Sequence, residues 1–484
     1  MKKFFGFIFI VIILLVGVIF FKGKQFKSQQ LNAIDTDVIE TISDDVFERL
    51  AKAIQIPTVS YQDSLKINFS LFDSLHQHVS QSFPLVDSFL VKTKINHSLL
   101  FEWKGKNEQL KPFLLMAHMD VVPAKMDELW EHEPFSGVID ADYIHGRGTL
   151  DDKGSMFGIL EAAEYLLSKD FQPERTIYFA FGHDEELGGN NGAAEISKYL
   201  AQKGVALEFV LDEGGVIVDG IMPGIDKPIG LIGIAEKGSL SIKLIAKGEG
   251  GHSSMPPNST VIGELAEAIV RLEKNPFPAK IEGVTAQMFD FVGPEMNFPL
   301  NYVFANRWLF SPVIVSQLEG TKSTNATVRT TQAVTVVKGG MKDNIIPSEA
   351  EAIVNFRILP GFTVDDVISH VRNSIANENI EIMFTEKASN PSNVSPTKSK
   401  GFEIIRQSAA NVFPDAITSP FLMIAASDAK HYENLSENVY RFFPARLDSE
   451  GLKKIHGSNE KIAKENYKEL IRFYHQMMVL GSGE

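Results

Sequence analysis

Phe113-Leu114-Leu115-Met116-Ala117-His118-Met119-Asp120 decides the fold, because a short, strand-like apolar run ends abruptly in a histidine and a carboxylate. The same arrangement recurs twice further along. Thr176 to Phe181 runs into His183-Asp184-Glu185-Glu186, and Leu207 to Leu211 runs into Asp212-Glu213-Gly214-Gly215. Before the second of these, Met156 to Leu167 carries apolar residues at three- and four-residue spacing, the period of a helix. Strands alternating with helical patterns predict an α/β domain. In open α/β sheets ligands bind beyond the carboxyl ends of the strands, so the three polar endings are expected to converge.

Around Glu236 the texture changes. Ser239 to Ala246 reads as a strand, Gly248 to Ser254 as a glycine-rich loop, Val261 to Leu272 as a helix, Ala333 to Val337 and Ala350 to Ile358 as strands, and a further helix begins near Val364. This order predicts a small α+β sandwich, ferredoxin-like, inserted into the larger domain. The stretch Ser389 to Ser399, containing Pro and Ser, reads as the crossover back.

At 484 residues the chain accommodates two folded units and an anchor. With 44% hydrophobic and 22% charged residues it is globular rather than disordered. A net charge of −14 argues against a nucleic-acid partner, which needs a basic face. The absence of cysteine excludes disulfides, thiolate nucleophiles and Cys-ligated zinc, so any metal must be held by His, Asp and Glu. At the N-terminus, Lys2 and Lys3 precede the uncharged run Phe4 to Phe21, and Lys22, Lys24 and Lys27 follow. The run is just long enough to cross a bilayer as a helix. It reads as a retained single-pass anchor with the folded part on the exported side; the competing reading is a signal peptide, which would leave a secreted protein, but no A-x-A cleavage pattern follows. Residues 25–43 are polar and aperiodic and read as a tether.

Taken singly, His118 reads as a satisfied polar residue, Asp184-Glu185-Glu186 as a solvated turn and Asp151-Asp152 as a helix cap. Together they form a cluster of carboxylates that repel unless a cation neutralises them. Mixed imidazole and carboxylate donors suit zinc better than Mg²⁺ or Ca²⁺. Two ions need a bridging carboxylate, and the neighbouring Glu185 and Glu186 could divide the work of general base and ligand.

These motifs resemble the zinc-dependent aminoacylase and carboxypeptidase family, which also contains glutamate carboxypeptidase and a desuccinylase, and within it the carboxypeptidase S and N-fatty-acyl-amino-acid synthase/hydrolase branch. The resemblance rests on His118 to Pro123, Gly146 to Gly154, Asp184 to Gly189, Leu211 to Gly215 and Arg441 to Pro444. It implies two Zn²⁺ per chain, with His118 and Asp212 on one ion, Glu186 and His456 on the other, and Asp151 bridging. It implies Glu185 as general base, Asp120 as the residue that orients His118, and a cis Asp151-Asp152 bond. In the inserted domain it implies His252 as an oxyanion-steadying histidine delivered to a partner subunit, Arg357 as a clamp for a substrate carboxylate, and Asn344 as a further substrate contact. A homodimer through the insert follows from such a His252. Ser427-Asp428-Ala429-Lys430 departs from the family's Thr-Asp-Ser-Arg type stretch, which bears on substrate preference.

The expected organisation is therefore an anchor or signal segment (1–24), a tether (25–43), a catalytic domain in two parts (44–235 and 387–484) and an inserted lid or dimerisation domain (236–386). The expected activity is hydrolysis of the amide bond of an N-acyl amino acid or small peptide bearing a free carboxylate. The alternative is a membrane-tethered, non-catalytic binding module on the same fold, which loss of a ligand or of the base would favour. Met288, Phe289, Phe291, Phe298, Phe304, Trp308 and Phe310 form an aromatic-rich stretch that reads either as an acyl-chain pocket or as lid core or dimer interface.

Overall fold

The computed structural model describes the chain apart from residues 126–129, 386–387 and 484; the expected boundary at 386/387 lies outside the described residues. A ten-stranded sheet forms the larger body. In spatial order its strands are Val91–Ile95, Ser98–Trp103, Ile177–Gly182, Phe113–His118, Val210–Asp212, Val439–Arg441, Ile229–Glu236, Ile217–Val218 and Arg446–Leu447, with Ile417–Met423 also pairing to Ile229–Glu236. Every residue of Phe113–His118 and of Ile177–Gly182 is buried. That explains their unbroken apolar composition, since parallel strands at the centre of such a sheet are covered on both faces. The two strands run parallel with His118 level with Gly182, and Leu115 is level with Leu211 on the other neighbour. All three polar endings therefore emerge at one edge.

Two long helices cover the centre of the sheet. Lys153–Ser168 starts beside that edge and packs along the C-terminal helix Lys464–Ser482. The approach is close because Gly158 has no side chain: a Cβ there would lie 1.9 Å from Leu470 Cδ2. Buried Lys153 donates to the carbonyls of Ala53 and Ile56 and so joins the start of the helix to the N-terminal part of the body.

The inserted unit is a four-stranded sheet in the order Thr331–Gly339, Glu349–Ile358, Gly238–Lys247, Ile380–Phe384, with Val261–Lys274 and Val364–Ile375 packed on it. Strand Glu349–Ile358 alternates buried with less buried residues, as a sheet covered on one face requires. The helix Val364–Ile375 begins with a capping box in which Thr363 and Asp366 satisfy each other's backbone N–H groups. The final strand, Ile380–Phe384, completes the β-α-β-β-α-β order and was not among the sequence expectations.

Two segments differ from their expected character. Between the insert's first helix and its second strand lies a run of short helices, residues 283–328, and Met288, Phe289 and Phe291 from this run join the core of the larger body rather than that of the insert. The tether is fixed in place. Gln29 donates to the Asp290 carbonyl, the Gln30 amide exchanges hydrogen bonds with the Thr418 backbone, Ile34 N–H donates to Asn411, Thr36 donates to Gln476, and Ile39 is buried. A polar, aperiodic sequence can be strapped to a surface by side chains that supply the partners a sheet would otherwise supply.

Leu470→Ala is expected to destabilise the detergent-solubilised chain by about 2–5 kcal/mol through the cavity left opposite Gly158. The readout is the urea midpoint, and an unchanged midpoint would contradict the helix contact.

Candidate metal centre

His118, at the last position of its strand, is buried and points both ring nitrogens at oxygen. Its Nδ1 lies 2.9 Å from the Asp120 carbonyl and 3.4 Å from the Asp120 carboxylate, and its Nε2 lies 2.8 Å from Asp151 Oδ1. The other oxygen of that carboxylate, Asp151 Oδ2, lies 2.9 Å from His456 Nε2, and Glu186 Oε1 lies 3.3 Å from the same nitrogen. One carboxylate thus stands between two imidazoles. The Asp151-Asp152 peptide bond is cis.

Asp120 holds more than His118. Its carboxylate accepts from Ser60 Oγ at 2.7 Å and from the backbone N–H groups of Glu185 and Glu186 at 3.1 and 3.2 Å. The tight turn Glu185–Leu187 is therefore fixed by its main chain while both glutamate side chains face the cleft. Gly189 permits this turn in two ways: its φ is +69°, and a Cβ there would lie 1.8 Å from Asp428 Oδ1. Asp428, from the stretch that departs from the family pattern, packs against the turn as a buried carboxyl.

His456 belongs to the C-terminal part of the chain and is held in place by Glu460. The fully buried Glu460 carboxylate pairs with Arg147 and accepts from the N–H groups of Gly148, Leu150 and Asp151 at 2.9, 2.8 and 3.3 Å. Arg147 in turn donates to the Gly457 carbonyl at 3.0 Å. Burial pushes the Glu460 carboxyl up to about 7 against the pull of Arg147. Arg147 lies within the Gly146 to Gly154 motif and Glu460 four residues after His456, and the sequence alone assigns neither a role. The available signal was a charged residue inside each of two glycine-containing loops.

Asp212 and its neighbour Glu213 are placed differently. Among the described residues, the group that brings ligand atoms within 4.8 Å of one another around His118 and Asp151 contains Glu213, and Asp212 is in no such group. Adjacent residues of an extended chain project to opposite sides. Asp212 closes its strand near Ser427 and Arg441, and its buried Oδ2 has no hydrogen-bond partner. Glu213, one step past the strand end, turns into the cleft.

The insert residues lie elsewhere. His252 and Asn344 line one groove of about 720 Å³, joined by the Ser253 N–H to the Asn344 carbonyl at 3.2 Å. Arg357 is exposed on the strand Glu349–Ile358. Among the described residues no hydrogen bond or ion pair links His252, Asn344 or Arg357 to the His118 cluster.

The cluster is strongly biased toward a cation. Burial, reinforced by neighbouring carboxylates, holds the carboxyls of Asp152, Glu185, Glu213 and Asp428 well above their usual range, and Asp212 is raised for the same first reason. Asp151 goes the other way: burial acts against it, yet hydrogen bonds to His118 and His456 hold it low. Asp151 and Glu186 raise His456 to about 10, and His118 is raised by Asp120 and Asp151 despite its burial. Buried Glu186 Oε1 and Asp212 Oδ2 have no hydrogen-bond partner. Mixed nitrogen and oxygen donors, excess negative charge and an orphaned oxygen facing the histidines fit a divalent metal.

Groups with raised pKa bind protons more tightly in the folded state, so their stability contribution is full below the unfolded pKa and is lost as pH rises through the folded value. In chelated protein, the thermal midpoint is therefore expected to fall between the ordinary carboxylate range and the value near 10 of His456. Saturating divalent cation should flatten that slope. A chelated chain whose midpoint rises from pH 6 to pH 8.5 would contradict these electrostatics.

Comparison with known proteins agrees with the geometry. Residues 114–479 match Peptidase family M20/M25/M40. The chain is 43% identical to "Probable carboxypeptidase S-like 2" of Dictyostelium discoideum, over 97% of this chain and 91% of that protein. It is 40% identical to "N-fatty-acyl-amino acid synthase/hydrolase PM20D1" of Xenopus tropicalis, over 98% of this chain and 93% of that protein. In fold it is similar to the M20 family metallo-carboxypeptidase Sso-CP2 of Sulfolobus solfataricus, with a TM-score of 0.65 at 19% identity, covering 91% of this chain and 100% of that one. With a histidine and carboxylate cluster at the carboxyl edge of its sheet and these relatives along nearly its whole length, the chain belongs to Peptidase family M20/M25/M40 and is a metal-dependent hydrolase of amide bonds.

Proposed function

We propose that the chain holds two zinc ions, for which His118 with Asp212 or Glu213, Glu186 with His456, and Asp151 would supply the ligands, and that it cleaves the amide of N-acyl amino acids or small peptides. The observation that carries this reading is the Asp151 carboxylate, whose two oxygens lie 2.8 and 2.9 Å from the Nε2 atoms of two different histidines. When bound, such a pair of ions supplies a water nucleophile of lowered pKa and polarises the scissile carbonyl. The protein's own part is proton handling and positioning. Glu185 sits in the group with His118 and Glu186, and among the described residues no hydrogen bond or ion pair engages its carboxyl. It is free to take a proton from the attacking water and pass it to the leaving nitrogen, while Asp120 keeps the turn still.

The names of the relatives, carboxypeptidase S-like protein and N-fatty-acyl-amino acid synthase/hydrolase, support a substrate with an acylated nitrogen and a free carboxylate. Arg357 would clamp that carboxylate with its planar guanidinium. Exposed and, among the described residues, without a hydrogen bond or ion pair to the cluster of its own chain, His252 would steady the oxyanion in a partner subunit, with Asn344 beside it, which makes a homodimer part of this reading. Lys2–Gln25 would serve as a retained anchor, with the catalytic body on the exported side. It is a helix of 24 residues with no buried residue, and its apolar stretch of 18 residues has a mean hydropathy of 3.3. At 1.5 Å per residue such a helix reaches about 36 Å, enough for a bilayer core of roughly 30 Å.

Glu185→Gln is expected to lower kcat on an N-acyl amino acid panel by about 10²-fold or more while the metal content stays at that of the wild type. Retained activity would remove Glu185 from the role of base, and about one zinc per chain in the wild type would remove the two-ion reading. In the same assay, metal lost in Glu213→Gln and kept in Asp212→Asn would assign Glu213 as the ligand beside His118, and the reverse pattern would assign Asp212.

A further inference from the structure

We propose that the segment Met296 to Leu318 is a membrane-docking surface that beds into the headgroup zone of the bilayer beside the anchor helix; this rests on the reading of Lys2–Gln25 as a retained anchor. The segment contains the helices Leu300–Ala305 and Arg307–Leu318. Its contacts with the anchor fix its depth. Asn306 Nδ2 donates to the Ile19 carbonyl at 3.1 Å, the rings of Phe20 and Tyr302 meet edge to face at 5.3 Å, and Lys22 Nζ lies 5.1 Å from the centre of the Trp308 ring. Gly23 lets Tyr302 in, since a Cβ there would lie 2.2 Å from the Tyr302 ring. These contacts all fall where the apolar run Phe4 to Phe21 gives way to Lys22, Lys24 and Lys27. In a spanning helix that level is the boundary between hydrocarbon and water, where Trp and Tyr are enriched and Lys reaches toward the headgroups.

What the segment shows to the outside suits that boundary. With the anchor packed on it, Phe298 remains 71% exposed, Trp308 55% and Val313 61%. Leu309 and Val313 are four residues apart on one helix and so share a face. Arg307 is the single charged residue between Met296 and Leu318, and it is paired with Asp290. An exposed apolar patch without charge, continuous with a membrane helix, is the sign of an interfacial element. Its orientation is set as well. The strap from Gln29 to Ile39 is hydrogen-bonded to the body through Asp290, Thr418, Asn411 and Gln476, so this face is turned to the membrane rather than free to tumble. A second copy of the chain is the competing occupant. Lipid is favoured because whatever covers the patch must lie in the plane where the anchor leaves the bilayer.

The chain contains no cysteine, so one can be introduced for labelling without background. Full-length Leu309→Cys and Val313→Cys variants, each carrying a polarity-sensitive dye, are reconstituted into phosphatidylcholine nanodiscs containing lipids with a nitroxide either near the headgroup or at the chain centre. Ile12→Cys reports on the anchor, and Leu65→Cys, 93% exposed, is the aqueous reference. The expected result is a loss of fluorescence at 309 and 313 with the shallow nitroxide at least about twofold that at 65, and strongest quenching at 12 with the deep nitroxide. Quenching at 12 with 309 and 313 no different from 65 overturns the docking surface and leaves the anchor standing; a second copy covering the patch would give this result. Absence of quenching at 12 overturns the anchor and the docking surface together.

Discussion

The contact on which the site depends is the Asp151 carboxylate, placed so that each oxygen faces a different imidazole. One imidazole comes from a central strand and the other from a loop near the C-terminus, so the contact exists only if two remote parts of the chain are held in register. Glu460 and Arg147 do that holding. A buried ion pair is weak evidence for stability in itself. Here the carboxylate also accepts from three backbone N–H groups of the loop that ends in Asp151. The pair therefore acts as a specifier of geometry: moving His456 away from Asp151 would leave a buried guanidinium, a buried carboxylate and three N–H groups without partners.

The same logic explains why the surroundings of the cluster are so densely hydrogen-bonded. Several carboxyls share a small buried volume, and mutual repulsion tends to spread them. Ser60, the Glu185 and Glu186 amides on Asp120, and the close approach of Asp428 to Gly189 keep the turn from relaxing outward. A cation then meets ligands that are already assembled, and Glu185 can stay unengaged because its position is set through its backbone.

Much of this was legible along the chain. Phe113 to Ala117 and Thr176 to Phe181 announced buried strands through unbroken apolar runs, and the insert announced itself through alternation and a change of period. The motif residues His118, Asp151, Glu186 and His456 were named from motifs and meet in space. Neighbouring residues were harder to tell apart. Nothing in Asp212-Glu213 says which carboxylate faces the cleft, because that depends on where the strand ends and on what occupies its other side. Residues 25–43 likewise carry no periodicity, since the partners that strap them down are single side chains scattered from Asp290 to Gln476. The aromatic run after Met288 was ambiguous because an apolar side chain looks the same in the sequence whether it ends in a core, as Phe289 does, or on the surface, as Trp308 does.

By itself, then, the sequence determined the α/β body, the inserted sandwich, the apolar N-terminal helix and the chemical kind of the site, because periodicity and donor type are local properties that short-range physics reads directly. Tertiary structure alone decided that Glu213 comes beside His118 and Asp151, that Glu460 and Arg147 bind the two halves of the site, that the tether is a fixed strap, and that, among the described residues, His252, Asn344 and Arg357 make no hydrogen bond or ion pair to the cluster of their own chain. Those outcomes depend on which way a side chain points once distant strands have packed, and that direction is set by contacts between residues far apart along the chain.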